Sequence, residues 1–472
     1  MKVFISGNFN VIHPGHIRLF KKARQYADRL IVGVYSSTYA SQLDLFSDEA
    51  RVDALHRNNL VDEVLLISSS LKAVLDKVQP DFIIKGREFE ERETEESQWA
   101  NANGKRIIYS DGDPLFSELD ILSLSNSPSS IQSRMNSTAE EFNIDISKIK
   151  KNLSYLEKLR VTVIGDLIID EYINCEPIGL SREDANVVLR PIDSAIFFGG
   201  ASIVARHCRG LGAQVKFVTV ANKLGHNVAE LSKTMELDGI ELEIVDDFER
   251  EEIVKKRFRV DGISRFRITE GSLETIHTSI ERAIIEKCRS LIADSDLIVF
   301  SDFNYGAIPE QLPKLMTENR EKNCLIAADS QISSQIGSLL KYRNVDLISA
   351  TEYEARVSLN NQDLGLAKLI TSLRKQLQST NAIIKMGRDG LIYETESELQ
   401  VTRTGAFKSF NPYPRDVAGA GDSLLATSAL LLTSGLSLHE AAFAGSLAAA
   451  LQVEKIGNLP LTKEDLIAYL SS

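Results

Sequence analysis

Short apolar runs alternate with segments of helical spacing along the first part of the chain. The runs predict strands at residues 3–5, 30–35, 63–67, 82–85 and 106–109, with helices between them. Continuous apolar runs are typical of parallel strands that are buried on both faces. The pattern therefore predicts a first domain, residues 1–135, with an α/β fold and a parallel sheet.

A second series of alternating strands and helices begins after a polar interval. Residues 136–158 are rich in Ser, Asn, Lys and Glu at helical spacing and predict a linker helix. Strands are then predicted at residues 160–165, 215–220, 297–300, 325–328, 347–349 and 382–385, and a helix at 275–292. The second domain, residues 159–472, is thus predicted to be a doubly wound sheet that binds ligands at the carboxyl ends of its strands. Residues 185–198 and 242–268 have an extended pattern and predict a small β lid.

Composition narrows the class of protein. The length of 472 residues suits two or three domains, and the net charge of −12 argues against general nucleic-acid binding. The N-terminus has no signal-peptide pattern, and the apolar stretch from Asp422 to His439 carries Thr, Ser and Gly, which favours a buried helix over a membrane span. The four cysteines form no Cys-x-x-Cys pair and are expected to be reduced. We expect a cytoplasmic protein without nucleic-acid or membrane partners.

A glycine-rich turn, residues 416–422 with the sequence Asp-Val-Ala-Gly-Ala-Gly-Asp, leads directly into that apolar stretch. Its glycines let the backbone N–H groups of Gly419, Ala420 and Gly421 converge at a helix N-terminus, where the helix dipole favours an anion. Asp422 could accept a proton from a hydroxyl while these amides bind the charge that develops on a transferred phosphate. A packing turn of small residues is the alternative interpretation.

A second pattern suited to phosphate lies near the N-terminus. His13 and His16 flank a glycine directly after the first predicted strand, which breaks at Gly7. Both imidazoles can face one spot at a helix N-terminus, where they would stabilise charge on the α-phosphate of a nucleotide. A histidine pair could instead bind metal, but no carboxylate or cysteine lies nearby in the sequence to complete the ligand set.

From residue 160 to about 470 the chain resembles sugar kinases of the ribokinase (phosphofructokinase-B-like) family, for which the Gly-Ala-Gly-Asp turn is the most specific motif. Supporting matches are Gly165-Asp166, Asp170, Phe198-Gly-Gly-Ala201, Leu211-Gly-Ala213, Ser301-Asp302, Glu354 and Lys385-Met-Gly-Arg-Asp-Gly390. The resemblance implies ATP as phosphate donor, Asp422 as base and an anion hole at Gly419, Ala420 and Gly421. It also implies Mg²⁺ organised by Glu354 through water, sugar contacts from Asp170, Gly199 and Gly200, and nucleotide contacts from Gly387 and Gly390.

Residues 1 to about 135 resemble Rossmann-like nucleotidyltransferases that carry His-x-Gly-His. The resemblance implies that His13 and His16 steady the α-phosphate of ATP or CTP. It implies further nucleotide contacts from Gly7, Phe9, Asn10, Lys85, Ser129, Ser130 and Arg134.

The pairing of the two domains is similar to the bifunctional enzymes of ADP-heptose synthesis, which join a heptose-7-phosphate kinase to a heptose-1-phosphate adenylyltransferase; here the order is reversed. Residues 254–257 and 265–267 resemble the lid strands that receive a phosphorylated sugar in those kinases, so Lys255 and Arg257 are predicted to bind substrate. A solvated strand face with alternating charge is the alternative. Lid strands of this family often pair between subunits, which suggests a homodimer.

The chain departs from both families at several positions. Ile203 and Thr351 replace asparagines, Tyr305 and Gln331 replace lysines of heptose kinases, Asn10 replaces an aspartate, and residues 35–50 lack an expected lysine. Three hypotheses follow. The first is a bifunctional enzyme that makes a nucleotide-activated, ADP-heptose-like sugar for surface polysaccharide. The second is a glycerol-phosphate-type cytidylyltransferase fused to a sugar kinase, and the third is a nucleotide-binding regulatory protein without catalysis.

Overall fold

The computed structural model describes residues 1–9, 12, 14–39, 47–86, 94–110, 131–180, 187–260, 262–271, 276–332, 337–396 and 402–471. The chain divides into two compact units. The first comprises Met1–Pro128 with Asp363–Leu366, and the second comprises Ser129–Gln362 with Ala367–Ser472.

The first unit is a five-stranded parallel sheet, and all five predicted strands are present. They are β1 (Lys2–Gly7), β2 (Arg29–Tyr35), β3 (Glu63–Ile67), β4 (Phe82–Gly86) and β5 (Arg106–Ser110), in the order β3-β2-β1-β4-β5. Described helices are Pro14–Tyr26, Asp48–His56, Leu71–Val78 and Glu95–Ala102. Val3 and Ile5 pack on one face of the sheet and Phe4 on the other, because successive side chains of a strand point to opposite faces.

The main sheet of the second unit has nine strands among the described residues. They are β6 (Arg160–Gly165), β9 (Gln214–Ala221), β10 (Glu241–Asp246), β13 (Leu297–Asp302), β14 (Leu325–Ser330), β15 (Leu347–Thr351), β16 (Asn381–Lys385), β17 (Leu391–Glu396) and β18 (Thr402–Phe407). The order is β10-β9-β6-β13-β14-β15-β16-β17-β18, with only β17 and β18 antiparallel to their neighbours. Chain order reverses between β6 and β13, where an open α/β sheet leaves a crevice for ligands.

Helices cover both faces of this sheet, as expected for a doubly wound fold. They are Ala201–Gly210, Val228–Asp238, Thr278–Leu291, Leu312–Asn319, Glu352–Ser358, Leu366–Leu377, Ala420–Thr433, Leu438–Gln452 and Lys463–Leu470. The side chains from Ser423 to Leu431 are all buried, which confirms the predicted buried helix, although Gly435, with φ of 94°, interrupts it before a second helix begins. No helix in the described ranges is long and apolar enough to span a membrane. All four cysteines are buried and unbonded.

The predicted β lid is present as a separate four-stranded sheet. Its strands are β7 (Leu167–Leu180), β8 (Val187–Gly200), β11 (Val254–Val260) and β12 (Ile263–Glu270), in the order β12-β11-β7-β8. The prediction was wrong for the start of the 242–268 segment, because β10 pairs with β9 at the edge of the main sheet instead. It also missed β7, which lies at the centre of the lid.

The predicted single linker helix was also wrong. The segment contains two helices, Ile131–Glu141 and Ile146–Leu153, followed by a short 3₁₀ turn. Met135, Ile149 and Leu153 are fully buried in the core of the second unit. The segment is polar overall, but it has about one apolar side chain per helical turn, and these side chains are enough to pack a helix on the core.

Candidate functional site

A cavity of about 540 Å³ lies in the second unit, at the carboxyl ends of its parallel strands. The strand register sets Ser301 of β13 level with Asp329 of β14, and Thr351 of β15 level with Lys385 of β16. All four residues line the cavity, as does the start of the Ala420–Thr433 helix. The volume is in the range of small-molecule sites, and the position is the one that doubly wound sheets use for ligands.

The predicted anion hole lies at one end of this cavity. Gly419 caps the helix with φ of 75°, and a β-carbon added there would lie 2.9 Å from Asn458 Oδ1, so both conformation and space require glycine. Ala420 and Gly421 form the first turn and also line the cavity. Amides of a first turn have no intrahelical acceptor, so they can bind an anion here.

Asp422 follows in the same turn and lines the cavity. Burial raises the pKa of Asp422 to about 7, and the carboxylate of Asp329 adds to this rise, while Lys385 opposes it. A carboxyl group that titrates near neutral pH suits a general base, because it can take a proton from a hydroxyl and release it again.

Lys385 and Asp329 form an ion pair at the base of the cavity. Burial lowers the pKa of Lys385, but the carboxylates of Asp329 and Glu354 outweigh it and raise this pKa above its usual range. A β-carbon on Gly421 would lie 3.2 Å from Lys385 Nζ. The ammonium group is therefore charged and lies against the first turn of the anion-hole helix.

Glu354, the residue expected to organise Mg²⁺, begins its helix in a capping box. Its Oε2 accepts a hydrogen bond from Thr351 N at 2.6 Å, and Thr351 Oγ1 accepts one from Glu354 N at 3.2 Å. Threonine thus replaces the family's asparagine as a helix cap.

The donor set of the cavity fits Mg²⁺ that is bound mainly by phosphates and water. Burial raises the pKa of Asp329 to about 6, and nearby Glu354 adds to the rise. Two carboxylates therefore share the single positive charge of Lys385, and a further cation would stabilise them. No group of three or more His, Cys, Asp or Glu side chains in the described ranges could hold a metal alone. Mg²⁺ commonly takes only one or two protein carboxylates when a nucleotide supplies phosphate oxygens.

Asp170 marks the opposite, lid-side part of the cavity. Its carboxylate accepts hydrogen bonds from Arg257 Nη2 at 2.8 Å and from Asn458 Nδ2 at 2.7 Å. A β-carbon on Gly199 would lie 2.2 Å from Asp170 Oδ2, and one on Gly200 would lie 2.4 Å from the Asp166 carbonyl oxygen. The two glycines are therefore needed so that the end of β8 can pass close to Asp170 of β7 and to Asp166 just before that strand.

Lys255 contributes a second lid cation. Its ammonium lies 5.2 Å from the ring centroid of Phe303 and 5.4 Å from that of Tyr305. Burial lowers the pKa of Lys255, and Asp170 opposes this. Arg267 from the neighbouring strand also lines the cavity. The predicted cationic lid therefore faces the cavity and not bulk solvent alone.

The departure at Ile203 has a structural explanation. Ile203 is fully buried in the Ala201–Gly210 helix and is not among the described residues that line the cavity. The amide that reaches Asp170 comes from Asn458, which the sequence analysis missed. No local pattern could have revealed it, because 288 residues separate the two side chains.

Gly387 and Gly390 bracket the turn after β16 and both line the cavity. At Gly390, with φ of 101°, a β-carbon would lie 2.0 Å from the Phe407 carbonyl oxygen. At Gly387, with φ of 63°, no atom lies within 4 Å of that position. Packing therefore dictates Gly390, whereas Gly387 leaves open space beside the cavity.

The first unit brings some of the predicted nucleotide residues together. Gly7 ends β1, and a β-carbon there would lie 3.1 Å from the ring of Phe9. Phe9, with φ of 51°, has its ring centroid 4.8 Å from that of His16, near the start of the Pro14–Tyr26 helix, and the two rings are tilted by 52°. Four predicted residues lie outside the described ranges: Asn10, His13, Ser129 and Ser130.

Lys85 lies in an ion pair, and its nucleotide contact stays a prediction. It forms a buried ion pair with Glu96 at 2.6 Å, and Glu96 also accepts a hydrogen bond from Tyr35 at 2.8 Å. Burial alone would raise the pKa of Glu96, but Lys85 lowers it to about 2. Arg134 lies on the Ile131–Glu141 helix, which belongs to the second unit and not to the first.

Comparisons with known proteins match the two units of the chain to two different families. The family described as pfkB family carbohydrate kinase matches residues 158–463, and the cytidylyltransferase-like family matches residues 4–121. The bifunctional protein HldE of Gluconobacter oxydans is 27% identical over 314 residues, covering 65% of this chain and 63% of the relative. The HldE of Helicobacter hepaticus is 26% identical over 321 residues, covering 66% and 64%. The chain thus spans slightly less than two thirds of these curated relatives.

Solved structures show the same fold for the kinase part. Phosphofructokinase-2 from Escherichia coli, in complex with substrates and products, superposes with a TM-score of 0.53 at 16% identity, covering 66% of this chain and all of that one. Ribokinase from Thermotoga maritima gives a TM-score of 0.52 at 18% identity over the same shares. The predicted fold class, two α/β domains with a ribokinase-like second domain, is confirmed.

Proposed function

Because the chain belongs to the pfkB family of carbohydrate kinases, we propose that its second unit transfers the γ-phosphate of ATP to a hydroxyl group of a sugar phosphate. One observation carries this proposal. A single cavity holds the helix N-terminus at Gly419, the base Asp422, and the lid residues Asp170 and Lys255.

The proposed reaction follows from the positions of these groups. The sugar hydroxyl loses its proton to Asp422 as its oxygen bonds to the γ-phosphorus, and the bond to the β–γ bridging oxygen breaks to release ADP. The amides of Gly419, Ala420 and Gly421 stabilise the charge on the transferred group. Mg²⁺, when bound, neutralises phosphate charge, and Glu354 is the residue that would hold it through water.

The lid favours an acceptor that is already phosphorylated. Arg257 is held by Asp170 at 2.8 Å, whereas Lys255 and Arg267 line the cavity and form no salt bridge with a carboxylate of the described residues. The chain as a whole has a net charge of −12, so a local group of cations on the β11–β12 strand pair favours binding of an anionic ligand there. We propose heptose 7-phosphate as this ligand, on the basis of the HldE relatives.

For the first unit we propose nucleotidyl transfer to the resulting sugar 1-phosphate, with ATP as donor. The product would be an ADP-heptose-like sugar for surface polysaccharide, made in the cytoplasm. Support comes from the parallel sheet, from the match at residues 4–121, and from His16 beside Phe9 at a helix N-terminus. Pyrophosphate release from labelled ATP, but not from labelled CTP, is expected; release from CTP alone would favour a glycerol-phosphate-type cytidylyltransferase.

We also propose that the lid mediates a homodimer. Exposed apolar side chains lie on its strands, among them Ile178, Val187, Ile192, Ile196 and Phe266. Several exposed large apolar side chains on one small sheet favour a protein interface. Light scattering should show a dimer for the wild type and a monomer for Ile192→Asp with Ile196→Asp; a wild-type monomer would refute this part.

The kinase proposal is tested with the purified full chain, ATP, Mg²⁺ and a panel of acceptors. Heptose 7-phosphate should release ADP faster than fructose 6-phosphate, and both faster than ribose, because only the phosphorylated acceptors can engage the lid cations. ADP release with none of these sugars would refute the kinase assignment. Preference for ribose would refute the phosphorylated acceptor but leave the kinase assignment intact.

A further inference from the structure

Tyr172 is a buried lid residue that the proposed reaction does not use. It lies on β7, a central strand of the lid, two residues after Asp170, and it is 2% exposed. Its hydroxyl donates a hydrogen bond of 2.7 Å to Asp416 Oδ2, although 244 residues separate the two in the chain. Asp416 is the first residue of the glycine-rich turn that ends at Asp422. The hydroxyl therefore joins the lid directly to the turn that carries the anion hole.

The carboxylate of Asp416 ties further backbone to this point. Its Oδ2 also accepts a hydrogen bond from Gly457 N at 3.1 Å, and its Oδ1 accepts one from Ala418 N at 3.1 Å. Ala418 directly precedes Gly419 of the anion hole, and Gly457 directly precedes Asn458. Burial alone would raise the pKa of Asp416, but the hydrogen bonds from the tyrosine and from these two amides outweigh it and lower the pKa. The acceptor is therefore a charged carboxylate.

The ring of Tyr172 packs on the cationic residues of the lid. The guanidinium carbons of Arg257 and Arg259 each lie 5.3 Å from its ring centroid. Phe197 of β8 makes an edge contact, with the two centroids 5.1 Å apart and the rings at 70°. Arg257 is also the residue that pairs with Asp170 beside the cavity. The tyrosine thus contacts lid residues next to the proposed acceptor with its ring, and the phosphate-side turn with its hydroxyl.

We propose that Tyr172 is a positioning residue of the kinase site, whose hydrogen bond to Asp416 holds the lid and the anion-hole turn in one arrangement. This rests on the proposed kinase function. An acceptor on the lid and ATP at the turn are then held with the acceptor oxygen close to the γ-phosphorus. Because both ligands favour the arrangement in which this hydrogen bond is made, each strengthens binding of the other. Tyr172 forms no bond to either substrate and keeps its proton.

The first test removes the hydroxyl alone. Tyr172→Phe keeps the ring and its packing but loses a hydrogen bond to a charged group, so kcat for a phosphorylated sugar should fall about 10-fold. The KM for ATP should stay at the wild-type value. Tyr155→Phe, at a tyrosine of the second unit that is 45% exposed, is the matched control and should behave as the wild type. A wild-type kcat for Tyr172→Phe would overturn the proposal.

A double-mutant cycle shows whether the hydroxyl acts through Asp416. Asp416→Ala removes the acceptor, so adding Tyr172→Phe to it should leave kcat nearly unchanged, whereas the same change in the wild type lowers kcat. Asp416→Asn, in which one oxygen replaces two, is a milder acceptor variant and should also reduce the effect of Tyr172→Phe. Full additivity with both acceptor variants would overturn the proposal, because the tyrosine would then act through another contact.

Binding measurements detect the coupling without turnover. Calorimetry with a non-hydrolysable ATP analogue should show tighter binding by the wild type when heptose 7-phosphate is present, by a factor of about 5 or more. For Tyr172→Phe this factor should largely disappear, while the affinity for the analogue alone stays the same. A tyrosine that only supports the structure would not change the factor selectively. Equal factors in the two proteins would overturn the proposal.

Hydrogen exchange distinguishes failure of this proposal from failure of the kinase assignment. Without ligands, peptides that contain Ala418 and Gly457 should exchange faster in Tyr172→Phe than in the wild type, since both amides bond to Asp416. Equal exchange rates in the two proteins would overturn the role of Tyr172, whichever sugar is the acceptor. Faster exchange in the variant, together with no ADP release by the wild type, would refute the kinase assignment while confirming that Tyr172 holds the turn.

Discussion

Each unit of this protein has a lysine at or next to the end of a buried parallel strand, and each lysine is paired with a carboxylate, but the two pairs differ in what surrounds them. In the first unit, the side chains of Lys85 and Glu96 are 6% and 2% exposed. In the second unit, those of Lys385 and Asp329 are both 14% exposed and line a cavity. The first pair is almost fully buried, whereas the second borders a cavity.

Further hydrogen bonds hold the first pair in place. Ser6 and Tyr35 both donate to Glu96, so strands β1, β2 and β4 are tied to one carboxylate. A buried ion pair that also accepts hydrogen bonds holds its geometry, since removing one partner leaves an uncompensated charge. A lysine at a strand end is therefore available to a nucleotide only if its carboxylate partner can be replaced. We infer a structural role for Lys85, whereas Lys385 lines the cavity of the second unit.

The largest expected effect is on the stability of the first unit. Lys85→Met should lower its free energy of unfolding by about 3–5 kcal/mol, because Glu96 then stays buried without a cation. The chain's single tryptophan, Trp99, is buried in this unit, so its fluorescence during denaturant unfolding reports on this unit alone.

The matched control replaces both partners. Lys85→Met with Glu96→Leu removes the buried charge as well, so most of the stability should return. An unchanged denaturation midpoint for Lys85→Met alone would contradict the structural role and reopen the possibility of a nucleotide contact.

A smaller effect is expected at the sugar end of the kinase cavity. Asn458→Ala should raise the KM for the sugar phosphate about 10- to 100-fold, since a hydrogen bond to a charged group contributes about 1.5–3 kcal/mol. The KM for ATP should change less, because the amide of Asn458 donates its hydrogen bond to Asp170, whereas its Oδ1 only borders Gly419 of the anion-hole turn. Steady-state kinetics checks both values, with Asn319→Ala, an exposed asparagine, as the control. An equal rise in both KM values would indicate general loss of structure instead.

The smallest expected effect is on the pH dependence of kcat/KM for the kinase reaction. Because burial raises the pKa of Asp422 to about 7, the base is protonated in mildly acidic solution, and kcat/KM should rise with pH to a plateau above neutrality. Asp329→Asn removes a charge that raises this pKa, so the rising limb should move to lower pH. A profile without a limb near neutral pH, or a shift in the other direction, would count against Asp422 as the base.

Much of the fold could be predicted because buried parallel strands are continuous apolar runs, which sequence displays directly. The lid strand β7 was missed because it mixes buried and polar residues and bends away from the main sheet. The helices before β6 were underestimated for a related reason. These helices are polar overall, and only Met135, Ile149 and a few other apolar residues pack them on the core.

The candidate site also has residues that sequence reveals and residues that it does not. Glycine positions such as Gly419 and Gly390 follow from local backbone conformation, so their motifs are visible in sequence. Asn458 beside Asp170, and Glu96 beside Lys85, depend on contacts between distant segments. Sequence alone cannot say whether a lysine faces a phosphate or a carboxylate, because only the folded chain decides which of the two is near.

The most direct test of the account is Asp422→Asn, measured with heptose 7-phosphate, ATP and Mg²⁺. The amide cannot accept the hydroxyl proton but fits the same space, so ADP release should fall about 10²–10⁴-fold. ATP binding, measured by calorimetry on the same preparation, should stay close to that of the wild type. A variant that binds ATP and releases ADP at the wild-type rate would contradict the account.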